Sequence, residues 1–230
     1  MVGPPLQAGH IDVCDGRVVG VGAGDVAEPV GASVVELGSV AVLPALVNAH
    51  THLELSGLRG VIPPAPSMPE WASCVLARRA ESGSPDVGAI REAVGEARES
   101  GTGLFGDIGN TLDAVPILVS SGMAARVFRE VVAFRDTDAS GVVNTAVEEI
   151  RAATSTKRVR VGLAAHAPFS VGRAALVALD TAIRESCGGP RCIHLAESPD
   201  ELEFLLTGRG PWHVLVDEDR VAVRVHQDEA

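Results

Sequence analysis

The sequence has no tyrosine, two tryptophans and five phenylalanines in 230 residues. With aromatics at only 3%, the core has to be built from Val, Ala, Leu and Ile, which the 46% apolar content allows. Lysine is nearly absent, Arg supplies the positive charge, and the formal net charge is −11. An acidic surface of this kind argues against nucleic acid and anionic membranes as partners and reads as a solubility feature. No stretch reaches the ~18 apolar residues a membrane span needs. No basic segment leads into a long apolar one at the start, so no signal peptide is expected. The four cysteines form no Cys-x-x-Cys pair and suggest no zinc-finger framework. Free thiols in a reducing cytoplasm are the expectation, with Cys187 and Cys192 the one pair near enough in sequence to meet. No Gly-x-Gly-x-x-Gly follows any apolar run, which removes the usual dinucleotide-binding signal.

What is present falls into three parts. Residues 1–41 carry short β-type runs, His10–Cys14, Arg17–Val21 and Ala32–Leu37, broken by Gly and Pro. Asp15-Gly16 between the first two is a hairpin-turn signal, so this part reads as a small β module with no helix. From residue 42 to 216 the pattern alternates strand, loop and helix. Strands are expected at Val42–Val47, Gly103–Ile108, Ala125–Phe134, Val159–Ala165 and Arg191–Leu195. The first of these is a continuous apolar run, as in a strand buried on both faces. Helices are expected at Asp86–Ser100, Leu112–Ser121, Gly141–Thr154 and Arg173–Ser186, and a last one opens at Ser198-Pro-Asp-Glu201 and stops at Gly208. Five strand–helix units in series predict an α/β fold with a parallel sheet and right-handed crossovers. The chemistry-bearing residues follow several different strands, which favours a (β/α) barrel over an open doubly wound sheet.

Those residues begin with His50-x-His52, in Val42-Leu-Pro-Ala-Leu-Val-Asn-Ala-His-Thr-His-Leu-Glu-Leu-Ser56. Residues two apart on a strand point to the same side, so two imidazoles at a strand mouth can grip one metal ion. His166 ends the fourth strand, His194 lies in the fifth, and Glu197 follows three residues later. A third histidine could complete a metal site, and a nearby carboxylate could shuttle protons. Each residue also has a plainer reading. A single histidine at a strand end is usually structural, though three strands each ending in one weaken that view. Glu197 could simply be a charge favoured by a helix N-terminus. Asp107 is either a site residue or a hydrogen-bonded loop carboxylate. Arg126 and Arg129 read as substrate contacts or as ion-pair partners.

The first motif, together with His166-Ala-Pro-Phe-Ser and His194-Leu-Ala-Glu-Ser, resembles the amidohydrolase superfamily in order and spacing. The likeness is to its cytosine deaminase, chlorohydrolase and adenosine-type (aminofutalosine-like) deaminase branch, and it covers residues from about 10 to 215. The resemblance implies that His50, His52 and His194 are metal ligands, that Glu197 is the general acid/base, and that His166 contacts substrate, with Asp107 a further substrate-side candidate. It implies one divalent metal ion, zinc first and iron second. The implied reaction is hydrolytic deamination of an aminated ring, purine- or nucleoside-like, in a small-molecule substrate. A two-metal phosphoesterase barrel is the weaker fit, since His166 stands where a bridging Lys or acidic ligand is wanted.

The pattern of that family also calls for a His after a sixth strand and a metal-binding Asp after an eighth. A full barrel takes ~250 residues, and only about 190 follow the β module, so the expectation is an incomplete TIM-type barrel of about five strand–helix units. Residues 217–230 show no helical face and no resemblance to the family, and a frameshift or early stop near residue 217 is the expected origin. Impaired activity is expected with it. Uncovered sheet edges would favour a homo-oligomer. The alternative function is a catalytically inactive remnant or an interaction protein using those edges.

Overall fold

The computed structural model describes residues 4–24, 31–133, 137, 139–214 and 216. The expected tail, 217–230, lies outside the described residues. The chain divides into two compact units, Met1–Leu43 and Pro44–Ala230.

In the first unit, β1 (Gly9–Cys14) and β2 (Arg17–Ala23) form an antiparallel hairpin. Asp15 and Gly16 take φ of 50° and 71° at the turn. Two successive left-handed residues match the right-handed twist of the flanking strands, which is why Asp-Gly suits the position. The run 32–37 was expected as a third strand and is not one; it is exposed and has no ladder partner among the described residues.

The second unit carries four parallel strands, β3 (Leu46–Thr51), β4 (Thr102–Gly109), β5 (Ala124–Val131) and β6 (Val159–Ala165), in the order β3-β4-β5-β6. Each strand pairs with its neighbour in sequence, and the order never reverses. A doubly wound sheet would show a reversal, so this is the winding of a barrel segment. The helices α1 (Met68–Ser82), α2 (Val87–Glu99), α3 (Ala114–Ser121), α4 (Ala139–Ala152), α5 (Arg173–Ala182) and α6 (Pro199–Thr207) fall between and after the strands. The main core joins α2–α5 to one side of the sheet through Ile90, Phe105, Leu118, Val127, Val159 and Leu163, all almost fully buried. Residues one step out of phase with these point the other way. Ile108, Phe128 and Ala164 form a small cluster there, with Cys192 against it.

Two strand expectations change. The first strand begins at Leu46 rather than Val42, and Leu46 and Val47 are 62% and 61% exposed rather than buried. Among the described residues β3 has a ladder partner on one side only, β4, which leaves its residues uncovered. The segment 191–195 joins no ladder among the described residues. It is pinned by one main-chain bond, His194 N–H to the His166 carbonyl at 2.8 Å, one residue beyond the end of β6. The fifth unit is otherwise present in α6, where Ser198 accepts from the Glu201 N–H at 3.2 Å as its N-cap. Helix α5 gives way at Ile183–Cys187 to a π-helical turn. The helix α1 was not anticipated, although Ser67 caps it with Pro69 and Glu70 in its first turn, the same signature that marks α6.

β3 lies unusually close to β4. The register slips between Leu46 and Val47 and again between Asn48 and Thr51. A Cβ at Gly106 would run into the Ala49 carbonyl, so only glycine lets β3 settle where it does. Gly106→Ala should therefore displace the end of β3 and cost about 1–3 kcal/mol, read as a fall in the midpoint of chemical denaturation. An unchanged midpoint would show that β3 is not held against β4 at this point.

Candidate metal centre

His50 stands at the last turn of β3, and His52 follows at the entry to the 3-10 turn Leu53–Leu58. His194 comes from the segment 191–195 beyond β6. Three elements thus bring three imidazoles together, although His194 is 144 residues from His50 in the chain. Their Nε2 atoms stand 3.1 Å (His50 to His52), 3.0 Å (His50 to His194) and 3.2 Å (His52 to His194) apart.

The tautomer of His194 follows from its surroundings. Its Nδ1 lies 3.0 Å from the His166 carbonyl, which can only accept, so Nδ1 carries the proton and Nε2 keeps its lone pair. Burial, then the nearby His194 and His50, lower the pKa of His52 to about 4, so His52 is neutral near pH 7. Lone pairs aimed at a common point repel unless a cation sits among them. Ligands about 2.05 Å from a tetrahedral ion stand about 3.3 Å apart, close to the three separations here. The donor set therefore fits a divalent transition metal, and these three histidines could hold one.

His166 stands just past β6, its ring centre 5.4 Å from that of His194. Ser170 Oγ donates to the Ala167 carbonyl, so it accepts from His166 Nδ1–H at 2.5 Å and leaves His166 Nε2 free to accept. Burial first, then His194 and His52, lower its pKa to about 4. Glu197 lines the same cavity as the four histidines and is exposed. Ala196 before it takes φ of 57°, and the Glu197 N–H donates to Glu201 Oε2 at 2.8 Å, which ties the backbone of this residue to the start of α6. The cavity is about 430 Å³. One face of α1, with Met68, Trp71, Val75 and Leu76 at helical spacing, forms its apolar wall. Phe169 and Trp212 stack at 4.0 Å on another side.

Asp107 lies apart from this constellation. It shares the helix-facing side of β4 with Phe105. Its Oδ1 accepts from the Leu53 N–H at 2.8 Å and from Thr51 Oγ at 3.0 Å, on either side of His52. Arg126 donates to the Gly188 carbonyl, and Arg129 pairs with Glu149 at 2.5 Å. Four polar residues of the site had not been singled out in the sequence. Glu54 is buried, pairs with Arg79 at 2.9 Å, and accepts from the Thr111 N–H and hydroxyl. Asn110 and Glu130 complete the group. Burial, the largest effect, raises the Glu130 carboxyl above its ordinary range, against the pull of His194. The alternation on β5 could have revealed Glu130, since it falls opposite Val127 and Val131, on the side of Phe128.

Residues 41–210 match the amidohydrolase family. The chain is 29% identical over 206 residues to a 5-methylthioadenosine/S-adenosylhomocysteine deaminase of Nitratidesulfovibrio vulgaris, covering 85% of this chain and 46% of that protein. A crystal structure of Helicobacter pylori aminofutalosine deaminase with methylthio-coformycin superposes with a TM-score of 0.65 at 26% identity, over 78% of this chain and 45% of that one. An atrazine chlorohydrolase from Arthrobacter aurescens, complexed with zinc and atraton, shares the fold at a TM-score of 0.69 and 17% identity, over 92% of this chain and 53% of that one. The chain spans less than half the length of the curated relatives it matches.

Burial raises the pKa of Asp107 to about 7 from an ordinary value of 3.8, against the lowering effect of its two hydrogen bonds. The folded state therefore binds more protons than the unfolded state between those values, and stability from this group is lost as pH rises through about 7. Asp107→Asn keeps an acceptor for Leu53 and Thr51 without the charge. The unmodified protein should lose melting temperature relative to Asp107→Asn as pH goes from 4 to 8. A constant difference over that range would contradict the assignment.

Proposed function

We propose, from the premise that this chain belongs to the amidohydrolase family, that His50, His52 and His194 hold one divalent metal ion, zinc first, and that the site hydrolytically deaminates an aminated purine or nucleoside-like compound. The convergence of three imidazole Nε2 atoms within 3.2 Å of one another carries the metal reading. Three protein ligands with one position left for water is a known catalytic arrangement of zinc. The named deaminase relatives, acting on 5-methylthioadenosine, S-adenosylhomocysteine and aminofutalosine, support the substrate class.

A bound ion would supply Lewis acidity and make water a competent nucleophile near neutral pH. The residues of the chain do the rest. Glu197 accepts a proton as water adds to the amino-bearing ring carbon, then returns it to the departing amine, which leaves as ammonia while the ring keeps the oxygen. His166 offers its free Nε2 to a ring N–H or hydroxyl of the substrate, held in orientation by Ser170. The apolar wall of α1 and the Phe169–Trp212 stack cover the flat or aliphatic parts of the ligand and exclude bulk water.

Two measurements test this. The purified protein should contain about one zinc per chain, and His194→Ala should lose it. Ammonia release should be detectable with at least one member of a panel of adenosine derivatives altered at the 5′ position. Glu197→Gln should keep the metal and lower kcat about 10²- to 10⁴-fold. A protein without metal would remove the centre; a metal-bearing one with Glu197→Gln at full turnover would remove the proton-transfer role.

A further inference from the structure

We propose that Glu130 is a positioning residue for His194, and that Asn110 and Arg79 hold it in that role. The inference rests on His194 being a metal ligand. Glu130 is the next-to-last residue of β5 and is 5% exposed. Its Oε1 is buried, with no donor aligned on it among the described residues, and it lies 3.3 Å from His194 Nδ1. Nδ1 is on the opposite edge of the ring from Nε2, the atom turned to His50 and His52. Glu130 therefore stands behind the imidazole. It is not placed to be a fourth ligand of the same ion.

This arrangement has a chemical purpose. Two acceptors, the His166 carbonyl at 3.0 Å and Glu130 Oε1, face Nδ1. Both require the proton on Nδ1 and so keep the Nε2 lone pair free. The carbonyl and the carboxylate fix the tautomer together, and the carboxylate adds negative charge that makes the ring a stronger ligand. A carboxylate free to turn away would do neither. Asn110 Nδ2 donates to Glu130 Oε2 at 2.8 Å, and Asn110 Oδ1 accepts from Arg79 at 2.9 Å. Arg79 can only donate and a carboxylate can only accept, so the Asn110 amide has one possible orientation. Arg79 is itself fixed by buried Glu54 at 2.9 Å. The chain of contacts runs from α1 through the ends of β4 and β5 to the ring of His194.

Glu130→Gln separates charge from shape. The Gln oxygen stays with Asn110, and its amide then faces Nδ1 with a donor. Competition of the purified protein against a coloured zinc chelator should show zinc held about tenfold to a hundredfold more weakly. Long-range proton–nitrogen NMR of the metal-free protein should show His194 as the Nδ1–H tautomer in the unmodified chain and as a mixture in Glu130→Gln. Asn110→Ala touches neither His194 nor the ion, and should weaken zinc by about tenfold only while Glu130 is present, with no further loss in the double variant. It also serves if Glu130→Gln fails to fold. A lowered melting temperature with unchanged zinc affinity and tautomer would overturn the proposal. If the unmodified protein binds no zinc, the metal centre fails, and the tautomer measurement alone decides the role of Glu130.

Discussion

Three imidazole Nε2 atoms within 3.2 Å of one another are a crowded arrangement in a metal-free protein, and much of the second unit serves to hold them there. His50 and His52 are fixed by a strand end and the turn after it, and His194 by a single main-chain bond and a side-chain bond to the same His166 carbonyl. Each fixing group sits just past the C-terminal end of a strand. In a parallel sheet wound in one direction, those ends gather on one side, so residues far apart in sequence come together without long loops. The sheet order is thus the structural condition for the site.

The same condition explains the close contact of β3 and β4. His50 is on β3 and His52 directly follows it; among the described residues this strand has one ladder neighbour, and its Leu46 and Val47 are exposed. A strand held on one side can shift more easily than one held on both. Gly106 allows the close approach, and Asp107 then grips Thr51 and Leu53 on either side of His52. Burial of Asp107 is part of how the metal-binding end of β3 is kept in place, even though this carboxylate is outside the cavity.

Much of this was legible in the sequence because periodicity and punctuation record it directly. The strand–helix alternation, the Asp15-Gly16 turn and the Ser198 cap all follow from local rules, and the three histidine motifs stood out because each ended an apolar run. What was not legible depends on partners elsewhere in the chain. Whether 191–195 joins a ladder depends on β6 having reached its end at Ala165, which no local pattern reveals. The helix α1 was missed although its Ser67 cap was visible, because a face such as Met68, Trp71 and Val75 reads as core until a cavity is known to lie beneath it. Glu130 and Asn110 were missed for a related reason. Their significance lies in what they touch, and neither sits in a motif.

These buried polar groups raise a question of cost. Glu54, Glu130 and Glu201 are all less than 10% exposed, and a buried carboxylate is expensive unless it is well paired. Glu54 has Arg79 and Thr111, whereas Glu201 accepts from the Glu197 N–H at Oε2 and keeps a buried Oε1 with no hydrogen-bond partner among the described residues. Glu130 has one oxygen bonded to Asn110, while the other is buried, has no aligned donor among the described residues and lies 3.3 Å from His194 Nδ1. A core built for stability alone would place an apolar residue there, as it does at Val127 and Val131 on the same strand. A divalent ion on the far side of His194 would change the balance. Positive charge drawn onto the ring would strengthen the Nδ1–H as a donor and give Oε1 the partner it lacks. Binding of the ion and satisfaction of Glu130 would then favour one another, since each stabilises the form of His194 that the other requires.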